Sequence, residues 1–336
     1  FDPMLAKVIV HGEDRDTAIA ALAATLKGSA LYGIETNCDY ACAVLAAPEF
    51  KRGDPYTALL AEFHYRAHTL EVLSPGPMTS VQDLPGRKGY WHVGIPPSGP
   101  FDSRSFSLGN RMLGNGETCA GLEITVQGPT LRFNAETWVL VAGAPLPVTV
   151  DGEKQPMWQP LALQAGQTLA LGKITGAGAR AYLLVRGGIQ CPAYLGSCST
   201  FTLGGFGGHV GRALRTGDVL HFPPCEGSSP VVAGDSPAPP EFGTEWTLRV
   251  IYGPHGAPDY LTEDDIATFF DSWWEVHYNS SRTGIRLIGP KPRWARQSGG
   301  EAGMHPSNIH DNAYAYGSVD FTGDMPVILG PDGPSL

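Results

Sequence analysis

The chain has 336 residues, enough for two cores rather than one. Its 43 glycines and 29 prolines, roughly 13% and 9% against about 7% and 5% in ordinary proteins, follow no fixed period. That excludes collagen and points to many short strands joined by tight turns. Charged residues are 17% of the chain and the net charge is -10, so no basic face is offered to nucleic acid or anionic lipid.

Residues 1–68 have a character of their own. MLAKVIVHG reads as a buried strand, Asp14 or Asp16 can cap a helix, and TAIAALAATLKGSA has the spacing of an amphipathic helix closed near Gly28. NCDYACAVLAAPEF reads as a second helix ending around Pro48. This α+β piece is too small to hold a sizeable core alone. From about Leu70 the pattern becomes that of an antiparallel barrel or sandwich: TWVLVAG, LPVTVDG, QTLALG, RAYLLVRGG and DVLHF alternate with turn residues. SRSFSLGNRMLG interrupts them as a helix capped by Asp102 or Ser103. Residues 225–242 are polar and proline-rich, as a linker or long loop would be. WTLRVIYG then reads as a strand, LTEDDIATFFDSWWEV as a helix opened by a Thr262–Asp265 capping box, and HYNSSRTGIRLIGP as strand and turn.

Six cysteines lack metal-ligand spacing, so free thiols in a reduced, cytoplasmic protein are the simplest expectation. No apolar run reaches the roughly 18–20 residues of a membrane span. The richest stretch is Gly299–Leu336, which sets His305, Asn308, His310, Asp311, Asp320 and Asp324 among glycines and prolines. Polar groups concentrated on turn-forming backbone mark a site. The stop on Gly-Pro-Ser-Leu, without a closing element, reads as a fragment. Pro306 inside the His305–His310 spacing argues against a metal site, and no Gly-x-Ser-x-Gly elbow supports a serine hydrolase.

FDPMLAKVIVHGEDRDTAIAALAATLKGSALYGIETNCDYACAVL resembles the end of the carboxy-terminal subdomain of biotin carboxylases, down to the turn Gly33–Asn37. The remainder, 69–336, resembles the carboxyltransferase half known as allophanate hydrolase subunit 2, related to the C subunit of 5-oxoprolinase. TSVQDLPGRKGYWHVGIPPSGPFDSRSFSLGNRMLGN, GLEITVQGPTLRF, VRGGIQCPAYLGSCST and HPSNIHDNAYAYGSVDFTGDMPVILGPDGPSL carry that likeness. It implies a mainly β, cyclophilin-like barrel architecture behind the α+β remnant. The fusion is the layout of urea carboxylases. It implies carboxylate transfer from carboxybiotin to urea, with ATP and magnesium used upstream. The implied partners are a biotinyl carrier domain and the rest of a parent carboxylase, with a homo-oligomer possible. A 5-oxoprolinase-type lactam-opening component and a non-catalytic regulatory binding module are the alternatives.

Such chemistry needs donors for a ureido oxygen gathering negative charge, and acceptors for urea N–H groups. Asn308 and His310 are candidate donors; Asp311, Asp320 and Asp324 are candidate acceptors or orienters of His310. Each could instead satisfy turn amides. On the first barrel, Gln82, Asp83, Arg87, Ser98 and Asp102 lie on turns where backbone can approach a flat ligand. Asp83 and Arg87 could equally pair across their turn, and Asp102 only cap a helix. Glu123, an acid between apolar neighbours, must face water, bind substrate or be paired inside, with Arg111 as a candidate anchor. Arg282 and Arg286 are candidates for a carboxylate clamp, and His255 sits on a similar turn.

Overall fold

The structure, a computed structural model, describes residues 3–29, 31, 33–54, 56–225, 238–300, 303–309 and 314–333. Helix α1 (Arg15–Gly28) starts where the Asp14 carboxylate accepts from the Thr17 amide at 2.8 Å. It packs on α2 (Cys38–Ala46), and Pro48 opens the short α3 (Pro48–Arg52), as a residue lacking an N–H suits a first helical position. A single turn, α4 (Leu59–Glu62), follows. The expected strand over MLAKVIVHG is not formed: residues 3–12 are irregular, with Met4, Leu5 and Ile9 exposed. A strand needs a neighbour to complete its ladder, and among the described residues none runs beside this segment.

The mainly β architecture expected downstream is present. In order come β1 (Thr69–Ser74), β2 (Met78–Gln82), α5 (Ser103–Met112), β3 (Gly121–Thr125), β4 (Thr130–Phe133), β5 (Thr137–Gly143) and β6 (Val148–Val150). They are followed by β7 (Glu153–Gln155), β8 (Leu161–Leu163), β9 (Thr168–Leu171), β10 (Arg180–Val185) and β11 (Val219–His221). The ladders join them as two antiparallel sheets, β11-β1-β4-β9-β6-β7 and β2-β3-β10-β5-β8. Both sheets turn one face into a shared core, where Leu70, Leu122, Leu131, Val141, Leu169 and Leu183 are solvent-free. Truncating any one of these leucines to alanine costs about 2–5 kcal/mol.

The period of two decides the opposite face. Alternate residues Leu140, Ala142, Tyr182 and Leu184 point outward, and α5 covers them with Phe106, Leu108 and Met112. Glu123 lies in register with Tyr182 and with Ser80. A carboxylate is therefore buried beneath the helix.

Beyond the linker-like stretch, of which residues 226–237 lie outside the described residues, WTLRVIYG is irregular instead of a strand. Its side chains have no partner strand among the described residues, and Ile251 is 96% exposed. Helix α6 (Glu263–Asp271) carries the expected capping box, Thr262 and Asp265 each bonding the other's amide. A last antiparallel sheet, β12-β13-β15-β14, uses β12 (Glu275–Val276), β13 (Gly284–Ile288), β14 (Val319–Thr322) and β15 (Met325–Leu329). Among the described residues no helix is long and apolar enough to cross a membrane.

Candidate active site

Residues 98–102, between β2 and α5, are held at every amide they possess. Ser98 N–H donates to Pro331 O at 2.9 Å, Gly99 N–H to Gln82 Oε1 at 3.1 Å, Phe101 N–H to Glu123 Oε2 at 2.6 Å, and Asp102 N–H to Tyr182 Oη at 2.7 Å. Pro100 has no donor. Asp102 itself caps α5, accepting from the Ser105 amide at 3.0 Å and the Ser105 hydroxyl at 2.5 Å.

Arg282, just before β13, ties this loop to the turn that carries Asp332. Its Nη1 donates to Glu123 Oε1 at 2.6 Å, its Nε and Nη2 to the two oxygens of Asp332 at 2.7 and 3.0 Å, and Nη2 also to Gly99 O at 2.8 Å. Arg180 adds a second cation 3.6 Å from Glu123. All four groups are withdrawn from water, the Glu123 side chain being 1% and that of Arg282 6% exposed. Burial by itself would lower the Arg282 pKa; the facing carboxylates outweigh it and raise it. Burial, then the Glu123 charge, pushes the Tyr182 phenol well above its ordinary value. Glu123 is thus paired inside the protein, and not by Arg111, which lies on the surface 3.9 Å from Glu117.

A crevice opens where this loop meets the terminal hairpin, between Trp91 and Pro97 on one side and Tyr314, Tyr316, Gly330 and Gly333 on the other. The Tyr316 hydroxyl donates to Phe101 O at 3.3 Å. Ser98, next to Pro97, has φ 55° and is 5% exposed, and its Oγ has no hydrogen-bond partner among the described residues.

The other expected residues fall in three places. Asp83 and Arg87 do not pair with each other. Asp83 accepts from Ser197 Oγ at 2.5 Å, Cys198 N at 2.8 Å and Ser199 Oγ at 2.6 Å. Arg87 donates to Tyr194 O and Ser199 O and lies over Phe206, while its buried Nη1 has no hydrogen-bond partner among the described residues. At the far end of the last sheet, Asp324 accepts from the Trp294 indole at 3.0 Å and lies 3.3 Å from His305 and 3.5 Å from Lys291. That indole bond first, then the cations, hold its carboxyl below the usual range. Asn308 is exposed nearby, bonded through its backbone to His305.

Asp320 does not join this group. Phe321 stacks edgewise on Trp294, and strand alternation sends Asp320 to the opposite face, where burial raises its pKa. Arg286 is occupied with Asn279 O at 2.6 Å, and His255 is exposed against Tyr260. His310 and Asp311 lie outside the described residues. Sequence reasoning missed Trp91, Tyr316, Arg180 and Asp332. Only the Gly330-Pro331-Asp332-Gly333 turn offered a local signal.

Comparison with known proteins places the chain. The family description "Carboxyltransferase domain, subdomain A and B" matches residues 93–336, and "Biotin carboxylase C-terminal domain" matches residues 1–62. The chain belongs to the carboxyltransferase family of that first description. It is 47% identical over its whole length to the urea amidolyase of Saccharomyces cerevisiae, spanning 19% of that protein. The crystal structure of the Kluyveromyces lactis urea carboxylase superposes on 96% of the chain at TM-score 0.87 and 46% identity, using 30% of its own length. The C subunit of the Escherichia coli 5-oxoprolinase is 33% identical over 66% of this chain and 68% of its own.

Proposed function

We propose that this chain is the carboxyltransferase portion of a biotin-dependent urea carboxylase, following the end of its biotin carboxylase portion, with 1–68 and 69–336 as the two parts. The carrying observation is the 47% identity that runs through both segments, against 33% over two thirds of the chain for the 5-oxoprolinase component. On this reading the parent protein supplies the ATP- and magnesium-dependent step and the biotinyl carrier.

The crevice between Trp91, Tyr316, Gly330 and Gly333 has room for little more than a water, and in this proposal it marks the seam at which carboxybiotin meets the chain. Bound there, carboxybiotin supplies an activated carboxyl group. The chain's own residues orient and protect. Trp91 and Tyr316 keep water from the reacting faces. Asp320, half-buried with a raised pKa, is a proposed acceptor for an acceptor-substrate N–H. Asn308, His310, Asp311 and Asp324 are the remaining proposed polar groups of the terminal run, and His255 a peripheral one. Gln82, Asp83, Arg87, Asp102, Glu123, Arg282 and Arg286 act in this proposal by fixing backbone that the substrate meets.

The test is an acceptor panel on the intact parent enzyme supplied with biotin, ATP and bicarbonate. Urea is expected to be carboxylated in preference to guanidine and 5-oxoproline. A good alternative acceptor beside inert urea overturns the assignment.

A further inference from the structure

The segment Cys191–Cys198 is a hairpin that brings two cysteines back together. Leu195 and Gly196 take left-handed backbone, φ 51° and 81°, as both central residues of a tight hairpin turn do. Tyr194 and Ser197 close the turn with reciprocal backbone bonds of 2.9 and 3.3 Å. Cys198 Sγ then lies 3.3 Å from Cys191 O, and Cys191 Sγ 3.9 Å from Cys198 O, with the two thiols in reach of each other. Both are free and only partly buried, and Pro192, Ala193 and Tyr194 beside them are exposed. The pair is not symmetrical. A bond from the Cys191 S–H favours the Cys198 thiolate, and with the nearby Arg87 charge it outweighs burial and Asp83, so the Cys198 pKa is lowered. The same bond, then burial, raises that of Cys191. This hairpin also grips two buried-side anchors: Asp83 accepts from Ser197 Oγ and Cys198 N, and Arg87 Nε donates to Tyr194 O at 3.0 Å.

We propose that Cys191 and Cys198 are a redox-responsive dithiol, which a small organic disulfide such as glutathione disulfide converts to an intramolecular disulfide that locks the hairpin's grip on Asp83 and Arg87. The Cys198 thiolate attacks one sulfur of glutathione disulfide, forms a protein–glutathione bond and expels one glutathione thiolate. Cys191 then gives up its proton and attacks Cys198 Sγ, which forms the internal bond and releases the second glutathione thiolate. Two protein thiols are thereby oxidised, and one glutathione disulfide is reduced to two glutathione thiols. A covalent bond across the hairpin restricts its local opening, and with it the release of Asp83 and Arg87. None of this depends on which acceptor the parent enzyme carboxylates.

The experiment uses the intact parent enzyme, treated with glutathione disulfide, quenched in acid, alkylated and digested with trypsin for mass spectrometry. Both cysteines fall in one tryptic peptide, Gly187–Arg212, which contains no third. In the parental protein this peptide should lose two hydrogens, resist alkylation and carry no glutathione, and dithiothreitol should restore it. Cys191→Ser should trap glutathione on Cys198, because the resolving thiol is gone, and Cys198→Ser should react roughly ten-fold more slowly than Cys191→Ser or slower still. Hydrogen exchange at the Tyr194, Ser197 and Cys198 amides should slow at least roughly three-fold in the oxidised parental protein and not in the double serine variant. A parental peptide that stays reduced, or that keeps glutathione on either cysteine, would overturn the dithiol, and so would equal rates for the two single variants. Exchange that is unchanged by oxidation would overturn the lock.

Discussion

Replacing Glu123 by glutamine keeps the side chain's shape and removes one of the two negative charges facing Arg282. The 2.6 Å bond from Nη1 loses its charge assistance, and Arg180, 3.6 Å away, loses its counter-charge as well. Arg282 then keeps only the Asp332 carboxylate, in a site where Glu123 and Arg282 are 1% and 6% exposed. Breaking a buried pair on one side costs about 3–5 kcal/mol. With each kcal/mol shifting the midpoint of a unit this size by about 2–4 °C, Glu123→Gln should lower the carboxyltransferase melting temperature by roughly 10 °C. Differential scanning calorimetry on the parent and variant reads this directly. Adding Arg282→Met together with Asp332→Asn should recover part of the loss, since neither partner of that pair is then left charged without the other. A Glu123→Gln shift below about 2 °C would refute the idea that this pairing holds the seam together.

Asp320→Asn and Asp324→Asn should each abolish allophanate formation while sparing bicarbonate-dependent ATP turnover, measured side by side in the intact enzyme. Their stabilities should differ in sign. Burial raises the Asp320 pKa, so ionisation opposes folding at neutral pH, and the neutral amide should leave the melting temperature equal or higher. Asp324 is held below the usual carboxylate range, so its contribution is present above the unfolded value of about 3.9 and is lost as pH falls through the folded value. Asp218 obeys the same rule. Burial would raise its pKa, but the Arg212 fork at 2.7 and 2.8 Å and the Arg215 amide outweigh it, giving a net lowering. Asp218→Asn should therefore cost about 1–3 kcal/mol at pH 7 and show a smaller loss of stability below about pH 4 in acid-unfolding curves.

Local chemistry explains which parts could be read in advance. Strands β5, β9 and β10 announce themselves through apolar runs between turn residues, and α5 and α6 through Asp102 and the Thr262–Asp265 box, because caps and periodicity are written within a few positions. The residues 3–12 and 246–252 have the same apolar character, yet form no strand, because a ladder depends on a neighbour that no local pattern specifies. The site divides the same way. That Glu123 must either face water, bind substrate or be paired inside follows from its apolar neighbours, which leave the choice open. Its partner Arg282 lies 159 positions away, and nothing near Arg111 revealed that it faces solvent instead. Asp320 and Asp324 look like one cluster in sequence, but strand alternation puts Phe321 and Trp294 between their faces. Trp91 and Tyr316 became visible as walls only when loop and hairpin came together.

The most direct test of carboxyl transfer uses a label. Intact parent enzyme charged with isotopically labelled bicarbonate and ATP, freed of both, and mixed with urea in a single turnover should pass the label into allophanate. The same charged enzyme carrying Asp320→Asn should retain the label or release it as bicarbonate. Label that leaves the wild-type enzyme at one rate with or without urea, and never appears in allophanate, would contradict carboxyl transfer to urea.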